Sequence, residues 1–234
     1  MTDAPADGVP VTDASPTRVR RLRREAWGFA IGSVAFFLGP LPFYAAWAGP
    51  VGTAATFFAG SIFFTTAGFI QLSLSGRKTL PRNMGRADRD DWWAAAVQFA
   101  GTLFFNLSTG AVLVAAVQAA DDPSVGWRPD AWGSICFLVA SGFALSATRA
   151  RGELWDVDAR TWHGTWLNAI GSVAFGVSAV GAYVLPQTGD LVSQFWANLG
   201  TVIGAICFFT AALLSRRSIP VPASPSAGGG ARVA

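Results

Sequence analysis

The sequence predicts an all-α polytopic membrane protein with six transmembrane helices, arranged as three parallel two-helix hairpin repeats, and with both termini in the cytoplasm. Two observations carry the membrane assignment. Of the 234 residues, 52% are hydrophobic and only 13% are charged, whereas a soluble globular domain carries about 25% charged residues. The charges also cluster in blocks that are separated by long uncharged runs. A third observation, the placement of the basic residues, predicts the orientation.

Six apolar runs are long enough to cross a bilayer, which requires about 20 mostly apolar residues in a helix. They lie at about residues 27–48, 54–75, 93–118, 131–148, 166–185 and 192–214. Taken in pairs, they predict the organisation of the whole chain. It runs in this order: a disordered basic cytoplasmic tail (1–26), hairpin 1 (27–76), a basic cytoplasmic loop (77–91), hairpin 2 (92–148), a cytoplasmic loop (149–165), hairpin 3 (166–214) and a disordered cytoplasmic tail (215–234).

The basic residues divide sharply between the two sides of the predicted bundle. Of the 17 Lys and Arg residues, all but Arg128 fall before the first run or after the second, fourth or sixth run. Four aspartates accompany Arg128 on the opposite side, namely Asp121, Asp122, Asp130 and Asp190. Short basic loops stay in the cytoplasm. Both termini are therefore expected inside, and one missing or additional span would destroy this partition.

A short motif recurs in the apolar runs. Ile31–Phe36 reads Ile-Gly-Ser-Val-Ala-Phe and returns letter for letter at Ile170–Phe175. Looser copies, each a glycine followed by a small residue and then by phenylalanines, begin at Gly60, Gly101, Gly133 and Gly204. The spacing is 69 residues from Gly32 to Gly101 and 70 from Gly101 to Gly171, and 73 and 71 among the even runs. Such a period, with two spans in each unit, predicts three hairpins that enter the membrane in the same direction.

The small residues of this motif are expected at helix–helix contacts. Lipid tails are as apolar as leucine, so close backbone approach at small residues drives association. A glycine and the phenylalanine four residues later share a helix face, so a phenylalanine can cover the glycine of a neighbouring helix. The Ser or Thr hydroxyl can bond a carbonyl one turn earlier or reach across to another helix. The predicted packing residues are Gly32, Ser33, Phe36, Gly60, Ser61, Gly101, Gly133, Gly171, Ser172, Phe175 and the GxxxG pair Gly200 and Gly204.

Ionisable residues are absent from all six predicted spans. Such residues mark proton relays and ion pathways, so their absence argues against a pump but leaves a passive pore open. The polar candidates within the spans are the amides of Gln98, Asn106, Asn168 and Asn198, and Gln71 lies near the end of the second span. Gln98 and Asn168 each lie three residues before a repeat glycine and share its face. The four amides could form a cluster on the bundle axis that binds a small polar solute, or they could bond one helix to another.

No catalytic, cofactor or metal site is predicted. Cys136 and Cys207 lie within apolar runs, where a free cysteine behaves as a small buried hydrophobe. His163 is the only histidine and has no nucleophile arranged with it in the sequence, and no phosphate-binding glycine loop is present. The arginines lie at span ends without a base-stacking surface, so nucleic acid is not an expected partner. The expected partners are the lipid bilayer and, for assembly, a second copy or another membrane protein.

The glycine-containing hairpins resemble the YrhK-like domain, a small bacterial membrane module. The resemblance rests on a Gly-Ser pair followed by phenylalanine in each helix of a hairpin, best matched at Ile31–Phe36 with 59–63, and next at Ile170–Phe175 with 204–208. The middle hairpin departs from the pattern, because Thr102 stands where the serine is expected. The resemblance implies an integral membrane protein without an established reaction, and it supplies no catalytic residues.

These observations predict a non-enzymatic structural or interaction module in the bacterial inner membrane. The alternative is a passive channel or transporter for a small uncharged solute. The two differ in what they require of the bundle interior. A transporter needs a hydrated cavity near the midplane where the four amides converge, whereas a structural module needs a dry bundle with phenylalanine filling the space beside each glycine. Pro40 and Pro42 are expected to kink or end the first helix near the outer surface.

Overall fold

The computed structural model is all-helical, as the sequence predicts. It describes residues 15–74, 85–120, 122–159 and 161–217. Within these ranges the helices are α1 (Pro16–Leu38), α2 (Pro42–Leu74), α3 (Arg86–Val117), α4 (Trp127–Ala150), α5 (Trp162–Gly181) and α6 (Gln194–Arg217). One isolated antiparallel bridge joins Val184 and Leu191 in the connection between α5 and α6.

Several helices begin earlier than predicted. Residues 16–26 were expected in a disordered tail but belong to α1. The helix starts there because Pro16 suits the first helical turn and the Ser15 hydroxyl accepts a hydrogen bond from the backbone N–H of Arg18 at 3.4 Å. The predicted loops 77–91 and 149–165 are also shorter, since α3 begins at Arg86 and α5 at Trp162. Residues 1–14, 77–84, 160 and 218–234 of the predicted tails and loops lie outside the described residues, as do 75–76 of hairpin 1 and 121 of hairpin 2.

The first predicted span, 27–48, is not one helix. α1 ends at Leu38, and α2 begins at Pro42. The prolines therefore end the first helix, as expected from their missing backbone N–H. The residues 42–48 form a short first leg of α2, which changes direction at Gly49 with φ 68° and ψ 177° just before Pro50. Only glycine adopts that φ readily, and this second break was not predicted.

The six helices form a closed ring in chain order. Each helix packs against the next, and α6 packs against α1. Neighbours are antiparallel, since Ser61 pairs with Thr109, and Thr65 with Asn106, across α2 and α3. The guanidinium of Arg216 lies 4.7 Å from the ring centroid of Trp27, which closes the ring between the end of α6 and the start of α1. We call this end, where α1, α3 and α5 begin, the basic end.

Three positions of the recurring motif point in three directions. A helix turns about 100° per residue, so the residue after the glycine points about 100° away from it and the phenylalanine four residues later points about 40° away, between the two. In a ring of six helices, the two neighbours of a helix lie roughly at these two outer directions, and the ring axis lies between them. The residue after each glycine is at most 3% exposed in all six helices: Ser33, Ser61, Thr102, Ser134, Ser172 and Ala205.

The hydroxyls at these positions join neighbouring hairpins. Ser61 pairs with Thr109 on α3 at 2.9 Å, and Ser172 pairs with Ser141 on α4 at 2.9 Å. Ser134 donates to the carbonyl of Phe175 on α5 at 3.3 Å. Ser33 instead donates to the carbonyl one turn earlier in its own helix. Both uses of the hydroxyl that the sequence left open therefore occur.

The outside of the ring is apolar and the inside is rich in small residues. Large hydrophobic side chains such as Ile31, Val34, Leu107, Val139 and Val173 are exposed, whereas the buried set consists mostly of Ala, Ser, Thr, Gly and Phe. A water-soluble monomer rarely exposes an apolar surface of this extent. Four of the described helices, α2, α3, α4 and α6, are long and apolar enough to span a membrane. These features indicate a membrane protein.

Candidate functional site

Each hairpin contains a reciprocal pair of glycine–phenylalanine contacts. A Cβ atom added to Gly32 would lie 2.9 Å from the carbonyl oxygen of Gly60 and 3.0 Å from the ring of Phe64, and one added to Gly60 would lie 3.0 Å from the ring of Phe36. The glycines therefore mark the points where the two backbones approach each other. The same reciprocal arrangement joins Gly101 with Phe137 and Gly133 with Phe105, and Gly171 with Phe208 and Gly204 with Phe175.

The GxxxG pair of α6 lies along its contact with α5. A Cβ atom on Gly200 would lie 2.5 Å from the carbonyl oxygen of Ala174 and 2.7 Å from the backbone nitrogen of Ser178. One on Gly204 would lie 3.1 Å from the carbonyl oxygen of Gly171. The free thiol of Cys207 belongs to a side chain that borders Gly171, so this cysteine fills space between helices.

The covering phenylalanines meet on the ring axis. We call them the phenylalanine core: Phe36, Phe64, Phe105, Phe137, Phe175 and Phe208. The three on the odd helices, Phe36, Phe105 and Phe175, form a triangle with ring centroids 5.9–6.2 Å apart. All six are at most 6% exposed. Since each ring contacts others in edge or offset geometry, the arrangement is a packed aromatic cluster rather than an open channel.

The even helices contribute a second layer nearer the basic end. Phe208 lies 6.0 Å from Phe64 and 5.5 Å from Phe137, measured between ring centroids. The two layers also contact each other, for example at 5.5 Å between Phe175 and Phe208. The axis is therefore closed by two stacked layers of phenyl rings.

No family model, curated protein or solved structure matches this chain.

A cavity of about 970 Å³ opens on the axis at the basic end of the ring. All six helices line it, and Phe29 and Phe208 form its apolar floor against the phenylalanine core. We call this cavity the vestibule. It lies to one side of the aromatic cluster, so the part of the bundle that the structure describes is open at its basic end and closed at mid-depth.

Corresponding positions of the three odd helices line the vestibule. The residues three before Gly32, Gly101 and Gly171 are Phe29, Gln98 and Asn168, and all three are lining residues. The residues six, seven and ten before each glycine also line it. These offsets are those of a single helix face. The face of each odd helix that precedes the repeat glycine therefore turns towards the same axial space.

The four predicted amides do not converge at the midplane. Gln98 and Asn168 both line the vestibule, as does Gln71 of α2. Asn106 instead donates to the Thr65 hydroxyl at 2.8 Å and links α3 to α2. Asn198 accepts a hydrogen bond from Gln194 one turn earlier on α6. Two of the candidates thus line a cavity, and two make local or helix–helix hydrogen bonds.

The charged groups of the vestibule are arranged by depth. Arg151, the residue that follows α4, donates to the Asp91 carboxylate of α3 at 2.6 Å and also lies 3.5 Å from Glu153. Glu25 lies deeper, seven residues before Gly32 and ahead of the first predicted span, and forms no ion pair with any described residue. Burial raises the pKa of this half-buried carboxyl to about 7. The vestibule therefore contains a carboxyl group whose ionisation is opposed by its surroundings.

The Glu25→Gln variant is expected to be more thermostable than the parent at pH 8, by about 2–4 °C for each kcal/mol of relieved desolvation. The pKa of the Glu25 carboxyl is about 7 in the folded protein and 4.5 without burial. Folding therefore takes up a proton between these values, and stability falls as the pH rises from 4.5 to 7. Glutamine removes this loss, so the difference should be largest above pH 7 and small at pH 4.5.

Thermal unfolding in detergent at pH 4.5 and 8 measures this effect, with Asp158→Asn in the exposed α4–α5 loop as a charge-matched control. A Glu25→Gln variant no more stable than the parent at pH 8 would show that the Glu25 carboxyl is well solvated.

Sequence reasoning missed Glu25 as a member of this site, because it lies before the first apolar run, in a segment expected to be disordered. A signal was present in the sequence, because Leu22, Glu25, Ala26 and Phe29 lie on one helix face. They precede Gly32 by the same offsets by which the lining residues of α3 and α5 precede their own repeat glycines. Among the described residues, no group of three His, Cys, Asp or Glu side chains could hold a metal ion.

Proposed function

We propose that the protein is a non-enzymatic structural or interaction module of a bacterial inner membrane. It consists of three hairpins whose six helices all span the bilayer, and both of its termini lie in the cytoplasm. The observation that carries this proposal is the phenylalanine core, which fills the axis at mid-depth with two layers of contacting rings. A module closed in this way acts through its outer surface and its two ends, where lipid, a second copy or another membrane protein can bind.

The ring supports the six-span arrangement. By length and composition, four helices qualify as spans, and α1 and α5 do not. α1 begins with an arginine-rich segment, and α5 has only 20 residues. Both helices nevertheless occupy the same ring as the other four and carry the exact motif copies beside the core. Their position between spanning neighbours supports the proposal that α1 and α5 cross the same thickness of bilayer, and the basic end would then face the cytoplasm.

Membership of the YrhK-like type is part of the same proposal. Two features of the ring support it. The motif residues occupy the same places in each hairpin: the glycine lies against the partner helix, the buried residue after it lies towards a neighbouring hairpin, and the phenylalanine lies towards the axis. In the middle hairpin Thr102 is fully buried like the serines it replaces, and its hydroxyl donates to the carbonyl of Phe99.

A passive channel or transporter for a small uncharged solute is the second candidate. The vestibule favours it, because a one-sided cavity on the axis is the entrance that such a path would need. The phenylalanine core argues against a passive path, since a solute would have to separate rings whose centroids lie about 6 Å apart.

Thiol accessibility in a background without Cys136 and Cys207 distinguishes the two candidates and tests the orientation. Single cysteines are placed in the α3–α4 loop (Ser124→Cys), in the α4–α5 loop (Asp158→Cys) and in the vestibule (Gln98→Cys). A small membrane-impermeant reagent applied to intact cells should label only the first. Applied to inside-out vesicles, it should label the second and third, because water reaches Gln98 from the basic end alone.

The outcomes separate cleanly. Labelling of Asp158→Cys but not of Ser124→Cys in intact cells would reverse the orientation. Labelling of Gln98→Cys from both sides, with the two loop positions each accessible from one side, would mean that water passes the phenylalanine core. The channel would then replace the structural module as the better account.

A further inference from the structure

The vestibule contains amide groups whose hydrogen-bonding capacity the protein does not use. Gln98 is only 8% exposed, yet its side chain forms no hydrogen bond with any described residue. The side-chain oxygen of Gln71 is buried without a partner, and the side-chain amide of Asn168 is also unpaired among the described residues. Buried polar groups in folded proteins are nearly always paired, and the exceptions commonly serve a ligand or a reaction. The buried Gln71 oxygen and the unpaired amides of Gln98 and Asn168 line the same cavity, and together they indicate a binding surface.

The electrostatics of the inner vestibule favour a cation. The charged lining groups are Glu25 and Arg18 on α1, Asp88 and Asp91 on α3, and Arg151 on α4. Arg151 is bound to Asp91. Arg18 lies seven residues before Glu25 on α1. Asp88 lies further from its own repeat glycine than Glu25 does from Gly32, by six residues. Both charged groups are therefore about 10 Å further out than Glu25. The Glu25 carboxyl is therefore the one charged group deep in the described part of the cavity.

The floor of the vestibule is aromatic and aliphatic. Phe29 lies one turn deeper than Glu25, at the depth of Gln98 and Asn168, and Phe208 belongs to the phenylalanine core below. Ala26, Ala95 and Ala212 also line the cavity. A phenyl face attracts cations through its quadrupole, and the apolar walls can bury a hydrocarbon body. Cavities of this kind, mostly apolar with a few convergent polar groups, are typical small-molecule sites.

We propose that the vestibule binds an organic ammonium ion with an apolar body. The ammonium group lies between the Glu25 carboxylate and the amide oxygens of Gln98, Asn168 and Gln71, and the hydrocarbon part lies over Phe29 and Phe208. An ammonium carries three hydrogen-bond donors and no acceptor, which matches a carboxylate and amide oxygens that lack partners. This role is independent of the structural function proposed above, because it uses the open end of the ring and leaves the phenylalanine core closed.

The test is calorimetric titration of the full chain in lipid nanodiscs with 2-phenylethylammonium, and with 2-phenylethanol as the neutral ligand of nearly the same shape. We expect saturable binding of the ammonium at pH 8 and at least tenfold weaker binding of the alcohol, because the alcohol lacks the charge that pairs with Glu25. Glu25→Gln and Gln98→Leu should each weaken binding of the ammonium by about tenfold. Asn198→Leu, outside the vestibule, should leave the affinity unchanged.

The pH dependence gives a second readout. Binding should strengthen as the pH rises through about 7 in the parent, because burial raises the pKa of Glu25 to that value and only the carboxylate pairs with the cation. The ligand itself stays charged over this range, since alkyl ammonium groups titrate near pH 10. Glu25→Gln should remove this dependence, whereas Arg18, Asp88, Asp91 and Arg151 remain in place in both proteins.

Several results would overturn the proposal. These are the absence of saturable binding to the folded parent, equal affinity for the alcohol and the ammonium, and a Glu25→Gln variant that binds like the parent. Thermal unfolding of each variant shows that it is folded before titration, and neither substitution removes a hydrogen bond or ion pair between described residues. Failure of this proposal leaves the thiol-accessibility result for the closed core unchanged, so the two proposals can be distinguished.

Discussion

Gly32→Leu is expected to lower the thermal unfolding temperature in detergent by about 6–12 °C and to reduce the yield of folded protein. A Cβ atom at this position already lies 2.9 Å from the carbonyl oxygen of Gly60, and a backbone oxygen can move only if α1 and α2 separate. Overpacking of this kind costs about 3 kcal/mol, which corresponds to that shift for a chain of this length. Gly171→Leu should cost less, because the nearest atoms belong to the side chains of Cys207 and Phe208.

A matched control lies in α4. Gly142 is exposed and a Cβ atom there would meet no other atom within 4 Å, so Gly142→Leu should keep the parent stability or raise it slightly through better helix propensity. The comparison holds residue type, substitution and helical context constant and changes only the packing. Similar unfolding temperatures for the parent, Gly32→Leu and Gly142→Leu would remove close packing as the explanation of the recurring glycines.

Phe175→Ala is expected to lower the unfolding temperature by about 6–12 °C. Phe175 is 4% exposed and its ring lies within 6.3 Å of the rings of Phe36, Phe105, Phe137 and Phe208, between centroids. Removing a buried phenyl group costs about 3–5 kcal/mol through lost contacts and the remaining cavity. The lower figure applies here, because the unfolded alternative within a membrane places the ring in lipid rather than in water.

Phe43→Ala provides the control for this variant. Phe43 lies on the short first leg of α2 and is 70% exposed, so its loss should change the unfolding temperature little. Differential scanning fluorimetry of the two purified variants measures both effects under the same conditions. A Phe175→Ala variant as stable as Phe43→Ala would mean that the phenylalanine core is loosely packed and would weaken the argument for a closed axis.

The sequence predicted the helical class and the small-residue contacts because both depend on local patterns. Apolar runs of about 20 residues predict spanning helices. A glycine and a phenylalanine at i and i+4 share a face whatever lies opposite. This local geometry places Gly32 and Phe36 on the face of α1 that contacts α2. It also explains why the boundaries were less accurate, since Ser15, Pro16 and the Gly49–Pro50 break act within a single turn and do not alter the apolar pattern.

The polar candidates show what such patterns leave open. Gln98, Asn106, Asn168 and Asn198 all lie within apolar runs, but only Gln98 and Asn168 reach the axis. Asn106 lies five residues after Gly101 and therefore points towards α2 instead, where it meets Thr65. The rotation of each helix about its own axis, set by the glycine contacts, decides which of these amides face the cavity.

By itself, the sequence determined that the chain is helical and apolar, which residues of each helix share a face, and that the basic residues collect at one end. The tertiary structure alone decided that α6 closes on α1 to form a ring, that six phenylalanines from six helices meet on its axis, and that Glu25, Gln71, Gln98 and Asn168 line one cavity. The physical reason is distance along the chain. Helical periodicity relates residues within a few turns, whereas these groups are brought together only by packing between helices far apart in sequence.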